Sequence, residues 1–498
     1  MHLSVTLNQR ARFLKREIYP RATDITARYQ LARQNGRLKS SLQLILFIHA
    51  VQPTETSIAQ PPSGGSAQAA APLERNLVIC CDGTSNEFGR KNTNVVRLLQ
   101  CLERDSDRQL IYYDPGVGTL PDPNRVTNLG KSWSKIIGLA FGHGLTSDVM
   151  EAYAFLMETW QSGDRVYVFG FSRGAYTSRV LTGLLRNFGL MPRGAHNILP
   201  YVIKGYRALS DRAARDKMSV LEETYQDFRR TFARPASSPD DQEHHFPVHF
   251  LGVWDTVSTV GWVWNPKSFR NTALNPSVQF ARHAIAIDER RVFFRQNRLV
   301  ARQSNQDSVE VAKMDGVPRL IECWFPGSHS DVGGGHAAKE DQLWPLSLEW
   351  MLREAEKTGL LVDPVRKQTV FASASSPSIW ALKHHESLEG LWKVAEWFPA
   401  LRWRQDNKTG EWRSRFETGR GTPRKVWPGE LIHRSALLRL REKEVFLPDG
   451  KMGPYNPPSL CAKYKDGVRH MPDPIPEYDV YQHAQCSCEA CKRLKASR

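Results

Sequence analysis

The feature that most constrains this chain is a five-residue turn, Gly170-Phe171-Ser172-Arg173-Gly174, set between a strand pattern and a helix pattern. Residues 165–169 (RVYVF) precede it and residues 175–185 follow with helical character. A serine on so sharp a turn crowds its neighbours, so glycine two positions away on either side is a steric demand. The turn lifts the hydroxyl clear of the sheet and sets it at the positive end of a helix. This predicts Ser172 as a nucleophile. The backbone N–H of Arg173 then faces any oxyanion that forms beside it.

Around the turn, strand and helix patterns alternate. Residues 76–81 (NLVICC) form a continuous apolar run, as expected of a strand buried on both faces. Further strands are predicted at 109–113, 165–169, 249–254 and 320–325. Helices are predicted at 95–102, 146–160, 175–185 and 345–355. The alternation predicts a mostly parallel sheet with helices on both faces, and the serine turn between strand and helix makes the expected fold α/β-hydrolase-like. Residues 76–360 are read as the catalytic domain. Residues 115–145 read as a long loop, and a charged helical insertion near 190–246 reads as a lid. Residues 1–75 read as a tail and flexible linker, the linker (52–72) being rich in Pro, Ser, Gly, Gln and Ala. Residues 361–498 read as a Trp-rich basic extension.

A serine nucleophile needs a base and a group that orients the base. In this fold class they follow in the order Ser, acid, His. Asp255 ends the strand HFLGVW, and His329 lies four residues past Phe325, in Pro326-Gly327-Ser328-His329-Ser330-Asp331. Each sits at a strand's carboxyl end, on the same sheet edge as Ser172. Competing bases are His336, His283, His385 and His433, and Asp331 is the competing acid. Asp82-Gly83-Thr84 follows the first strand, and the Gly83 N–H is the expected second oxyanion donor. Asp82 itself reads as a turn-shaping side chain.

Charge and cysteine usage narrow the alternatives. The formal net charge is +16, with ten Lys/Arg against four Asp/Glu in residues 1–75. That balance favours anionic partners, but no nucleic-acid-reading motif accompanies it, and no nucleic acid is expected. Gly333-Gly334-Gly335 fits no phosphate-binding pattern. Cys80, Cys81, Cys101 and Cys323 fall in apolar stretches and read as small buried hydrophobes. His483, Cys486, Cys488 and Cys491 form an H-x-x-C-x-C-x-x-C run that matches no common zinc knuckle. It is read as a reduced, unstructured tail, so no metal and no cofactor are expected. Residues 42–51 (LQLILFIHAV) are too short to span a membrane and lie far in for a signal peptide. The chain is expected to be soluble and cytoplasmic in the producing cell, with export left open. Its oligomeric state is left open as well.

Several stretches together resemble a known family. They are LVICCDGTSNEFG, YYDPGVGT, GDRVYVFGFSRGAYTSR, GVWDTVSTVG, HAIAIDERR and CWFPGSHSDVGGG. The set is similar to a bacterial and fungal family that includes the phospholipase effectors delivered by type VI secretion. The resemblance covers residues 76–360 and implies an α/β-hydrolase catalytic domain. It also implies a Ser–Asp–His triad, which falls on Ser172, Asp255 and His329, and esterase chemistry on phospholipid acyl chains. Residues 389–404 (EGLWKVAEWFPALRWR) interleave aromatic and basic side chains, which suits contact with an anionic membrane surface. A packed cap helix broken at Pro399 is the preferred reading of that segment. The expected substrate is a lipid or a small ester. The alternatives are a soluble carboxylesterase or thioesterase, and a hydrolase-like binding module without turnover.

Overall fold

The structure is a computed structural model. It describes residues 74–83, 91–116, 143–211, 218–236, 244–257, 269–299 except 274, and 313–337 except 315. It further describes 342–374, 378–390 and 392–481, the last without 394–395, 398–399, 406–411, 428 and 472–473. All of these belong to the unit Ala71–Arg498. The 42–51 segment, the 52–72 linker, most of the 115–145 loop and the 483–491 Cys/His run lie outside the described residues.

Eight strands form the central sheet: β1 (Asn76–Cys81), β2 (Gln109–Asp114), β3 (Arg165–Phe171), β4 (Val248–Trp254), β5 (Val278–Ala286), β6 (Leu320–Phe325), β7 (Leu431–His433) and β8 (Tyr478–Val480). Their spatial order is β8-β7-β6-β5-β4-β3-β1-β2. Every neighbouring pair is parallel except β7 with β8. The fold is therefore α/β with a mostly parallel sheet. The helices used below are α1 (Asn94–Cys101), α2 (His143–Thr159), α3 (Arg173–Phe188), α4 (Leu199–Ser210), α5 (Met218–Phe232), α6 (His329–Gly333) and α7 (Trp344–Glu356).

The pleat explains why the strands read as unbroken apolar runs. Along β1, Leu77 and Ile79 join one core with Val149, Tyr153 and Leu156 of α2 and Val180, Leu181 and Leu184 of α3. Val78 and Cys80 point to the other face, into a core with Val95 and Leu98 of α1 and Leu348 and Met351 of α7. Side chains alternate between faces, and both faces are covered. Cys80, Cys81, Cys101 and Cys323 are buried free thiols within this packing.

The structure departs from the sequence reading in four places. β5 was not foreseen. Its run is interrupted by Arg282 and His283, both fully buried. The sheet accommodates them by pairing Arg282 Nε with Glu354 at 2.7 Å and His283 Nδ1 with Glu322 at 2.8 Å. A second departure concerns residues beyond 360, which supply β7 and β8 to the main sheet rather than standing apart from it as an extension. Third, the insertion near 190–246, read as a lid, places its described helices elsewhere. The Phe188 ring, at the last residue of α3, lies 5.1 Å from Tyr225, 5.9 Å from Phe228 and 6.4 Å from Tyr206. Ser172 precedes the first residue of that 16-residue helix, roughly 24 Å away along its axis. Fourth, residues Ala400–Gln405 form a strand paired antiparallel with Trp412–Glu417, not the second half of a cap helix.

Candidate active site

Ser172 stands between β3 and α3 with φ 58° and ψ −119°, a conformation that is strained for a residue with a side chain. The flanking glycines are required by space. A Cβ on Gly170 would lie 2.5 Å from the Gly174 carbonyl oxygen and 2.5 Å from Ser178 Oγ. One on Gly174 would lie 2.2 Å from the Cys81 carbonyl oxygen, at the end of β1. The turn is also tied to the next strand. Ser172 N–H donates to the Trp254 carbonyl at 3.1 Å, and the Ser172 carbonyl accepts from Val257 N–H at 3.4 Å.

Asp255 ends β4, and it too has a positive φ, 36°. Its carboxylate is fully buried. Oδ2 accepts from His329 Nδ1 at 2.6 Å, and His329 Nε2 lies 2.9 Å from Ser172 Oγ. The three side chains, contributed by the carboxyl ends of β3, β4 and β6, thus form one hydrogen-bonded chain. With Asp255 ionised, Nδ1 carries the imidazole proton, which leaves Nε2 to accept from the serine hydroxyl.

His329 is held on every side. Ser328 caps the short helix α6 through a capping box with Asp331. His329 N–H donates to Glu289 at 3.2 Å, and Glu289 is in turn bound by Arg291 at 2.7 Å. The Phe171 and Phe294 rings lie 4.6 Å and 4.8 Å from the imidazole. Burial lowers the His329 pKa, and Asp255 opposes that shift without reversing it, which favours the neutral imidazole. Burial alone would raise the Asp255 pKa. Arg424, followed by His329, outweighs it and holds the carboxyl well below the usual carboxylate range.

Arg424 is the residue that the sequence reading missed. Its guanidinium grips Asp255 bidentately, Nη1 to Oδ1 at 2.5 Å and Nη2 to Oδ2 at 2.9 Å. It also donates to the carbonyls of Ala286, at 3.0 Å, and Phe294. A single arginine in a strongly basic stretch carries no local sign of this task. The IDERR stretch was visible only through the family resemblance. Asp288 accepts from Gly327 N–H at 2.7 Å and Tyr455 Oη at 2.6 Å, and so shapes the loop that bears His329.

The remaining candidates fall elsewhere. Asp331 caps α6 and binds His385. His283 belongs to a buried network with Glu322. His433 caps the helix Arg434–Arg441. The backbone N–H of Arg173 opens α3 beside Ser172. The Gly83 N–H, the other expected oxyanion donor, is bonded at 2.6 Å to the Asp82 carboxylate. Asp82 is buried and also accepts from Thr93 Oγ1 at 2.8 Å and Tyr113 Oη at 3.0 Å. Among the described residues no helix is long and apolar enough to cross a membrane.

The yeast uncharacterized protein YEL023C of Saccharomyces cerevisiae is 26% identical over 405 residues, with 58% of this chain and 58% of the relative covered. The chain thus spans under two thirds of that relative. Two solved structures are more distant. An uncharacterized protein from Pseudomonas aeruginosa matches at TM-score 0.37 and 17% identity, covering 61% of this chain and 49% of that one. The Tle1 effector bound to the VgrG spike from the type 6 secretion system matches at TM-score 0.36 and 14% identity, covering 76% of this chain and 98% of that one. The family model for the catalytic domain of Tle1-like type VI secretion phospholipase effectors matches residues 75–354, more than half of the chain. The chain belongs to the family of Tle1-like phospholipase effector catalytic domains.

Proposed function

We propose that this chain is a serine hydrolase that cleaves carboxylic esters, with phospholipid acyl esters as substrates. The observation that carries the reading is the Asp255–His329–Ser172 chain, with spacings of 2.6 Å and 2.9 Å. In the proposed cycle, Ser172 Oγ bonds to the ester carbonyl carbon as its proton passes to His329 Nε2. The tetrahedral adduct collapses, and the leaving alcohol takes that proton. His329 then deprotonates a water, which releases the carboxylic acid and restores the serine. Asp255 holds the imidazole tautomer and faces the transient imidazolium. The Arg173 N–H receives the oxyanion. Gly83 contributes a second donor once its N–H leaves the Asp82 carboxylate.

Family membership supports a phospholipid substrate. The surface near 389–404 adds to it. Trp392 packs 5.4 Å from Phe294, which itself lies against His329. Nearby in sequence, Trp397 is 67% exposed, with the Arg420 guanidinium 5.8 Å from its ring. An exposed tryptophan beside a cation suits an anionic lipid interface.

A fluorophosphonate probe and a mixed phospholipid extract test the reading. The expected result is a probe adduct on Ser172. Fatty acid and lysophospholipid should be released by the wild type and lost in Ser172→Ala. Folded protein that takes up no probe would overturn the hydrolase reading. Labelled protein that cleaves a short soluble ester but no liposomal lipid would overturn the lipid assignment alone.

A further inference from the structure

A second cluster lies two residues beyond His329. Asp331 is fully buried, and its Oδ2 accepts from Ser328 N–H at 2.8 Å, Ser328 Oγ at 2.9 Å and His385 N–H at 2.9 Å. Its Oδ1 faces His385 Nδ1 at 2.6 Å and His336 Nε2 at 3.8 Å. The two imidazoles stack with centroids 3.7 Å apart and planes 18° from parallel. The three ligand atoms all lie within 4.8 Å of one another.

Backbone chemistry builds the juxtaposition. Gly334 and Gly335 have φ of 76° and 107°, and they turn the chain back so that His336 returns beside Asp331. A Cβ at Gly334 would also come within 2.8 Å of the Asn94 backbone nitrogen. The triple glycine, which fits no phosphate-binding pattern, thus serves to deliver an imidazole.

We propose that Asp331, His336 and His385 form a binding site for one divalent transition-metal ion of the zinc class. Two imidazole nitrogens and one carboxylate oxygen suit zinc, cobalt or nickel and are poor ligands for magnesium or calcium. Tetrahedral bonds of roughly 2.0–2.1 Å set ligand atoms about 3.3 Å apart. The distances of 2.6 Å and 3.8 Å from Oδ1 lie on either side of that spacing, and all three ligand atoms lie within 4.8 Å of one another, so binding draws the two stacked imidazoles round to converge on the ion. Hydrogen bonds to Oδ2 already fix the carboxylate, as second partners of metal ligands do. With three protein ligands, a water fills the fourth position. The ion ties the loop that carries His329 to the segment at residue 385.

The test uses the full chain with Cys486, Cys488 and Cys491 replaced by serine, so that the terminal thiols cannot compete. After chelator treatment it is titrated with cobalt(II) and followed by visible absorption. The expected result is one equivalent bound, with d–d bands and no thiolate charge-transfer band. His336→Gln and His385→Gln should each weaken binding by about tenfold or more. Asp331→Asn removes a helix cap as well as a ligand, so the two histidine variants carry the test, with near-UV circular dichroism as the folding control. No cobalt bound, or affinity unchanged in both folded histidine variants, would overturn the site.

Discussion

Two carboxylate–imidazole pairs sit side by side in this molecule, and they differ only in what completes them. Asp255 and His329 meet at 2.6 Å, as do Asp331 and His385. Both carboxylates are fully buried. In the first pair the far imidazole nitrogen faces Ser172 Oγ, and Arg424 grips the carboxylate from behind. In the second the carboxylate faces another imidazole, His336, and its remaining oxygen is occupied by the cap of α6. An Asp–His pair is therefore not a function. On the readings proposed above, a hydroxyl on a strained turn makes one a proton relay, whereas a second imidazole makes the other a cradle for a cation.

The largest effect expected from breaking this contrast is at the hydroxyl. Ser172→Ala should lower ester hydrolysis by about 10⁶-fold, measured as kcat on a chromogenic ester. Asp255→Asn comes next, at about 10⁴-fold, because the amide favours the wrong imidazole tautomer. The matched change in the second pair, His385→Gln, should cost far less activity, since no reacting atom depends on that tautomer. Equal losses in the two variants would erase the distinction between the pairs.

Arg424→Met sharpens the contrast from the side of stability. It removes a bidentate partner from a buried carboxylate, and urea denaturation should show a loss of about 3–5 kcal/mol. An unchanged midpoint would mean that His329 and the Ala286 N–H, which donates to Asp255 Oδ1 at 2.9 Å, suffice for Asp255.

A pH-dependent effect concerns a carboxylate that lacks so strong a partner. Burial raises the Asp148 pKa, and Asp114 and Glu151 add to it, to about 8. Arg173 opposes the shift only in part, and Cys81 and Tyr112 also face this group. The unfolded chain ionises Asp148 near pH 4 and the folded chain only near pH 8. Its contribution to stability therefore falls as pH rises through that window. Asp148→Asn should raise the melting temperature above neutrality and leave it unchanged near pH 3. Thermal unfolding across that range checks the sign.

Much of this was legible locally. A strand buried on both faces is mostly apolar, so β1 and β6 could be bounded to the residue even though Glu322 interrupts β6. The turn at Ser172 needs glycine on both sides, and close contacts explain both positions. β5 escaped because Arg282 and His283 interrupt its pattern, and only Glu354 and Glu322 from distant segments make their burial tolerable. β7 and β8 are three residues long, too short for any periodicity.

The sequence by itself determined the turn at Ser172, the strands on either side of it, and the positions of Asp255 and His329 at strand ends. Each of these follows from steric and apolar rules acting over a few neighbouring residues. Only the tertiary structure decided that Arg424 would grip Asp255 across 169 positions, or that His385 rather than a nearer side chain would reach Asp331. Charged side chains find partners in space, and their energy depends on burial and geometry that no short stretch of sequence encodes.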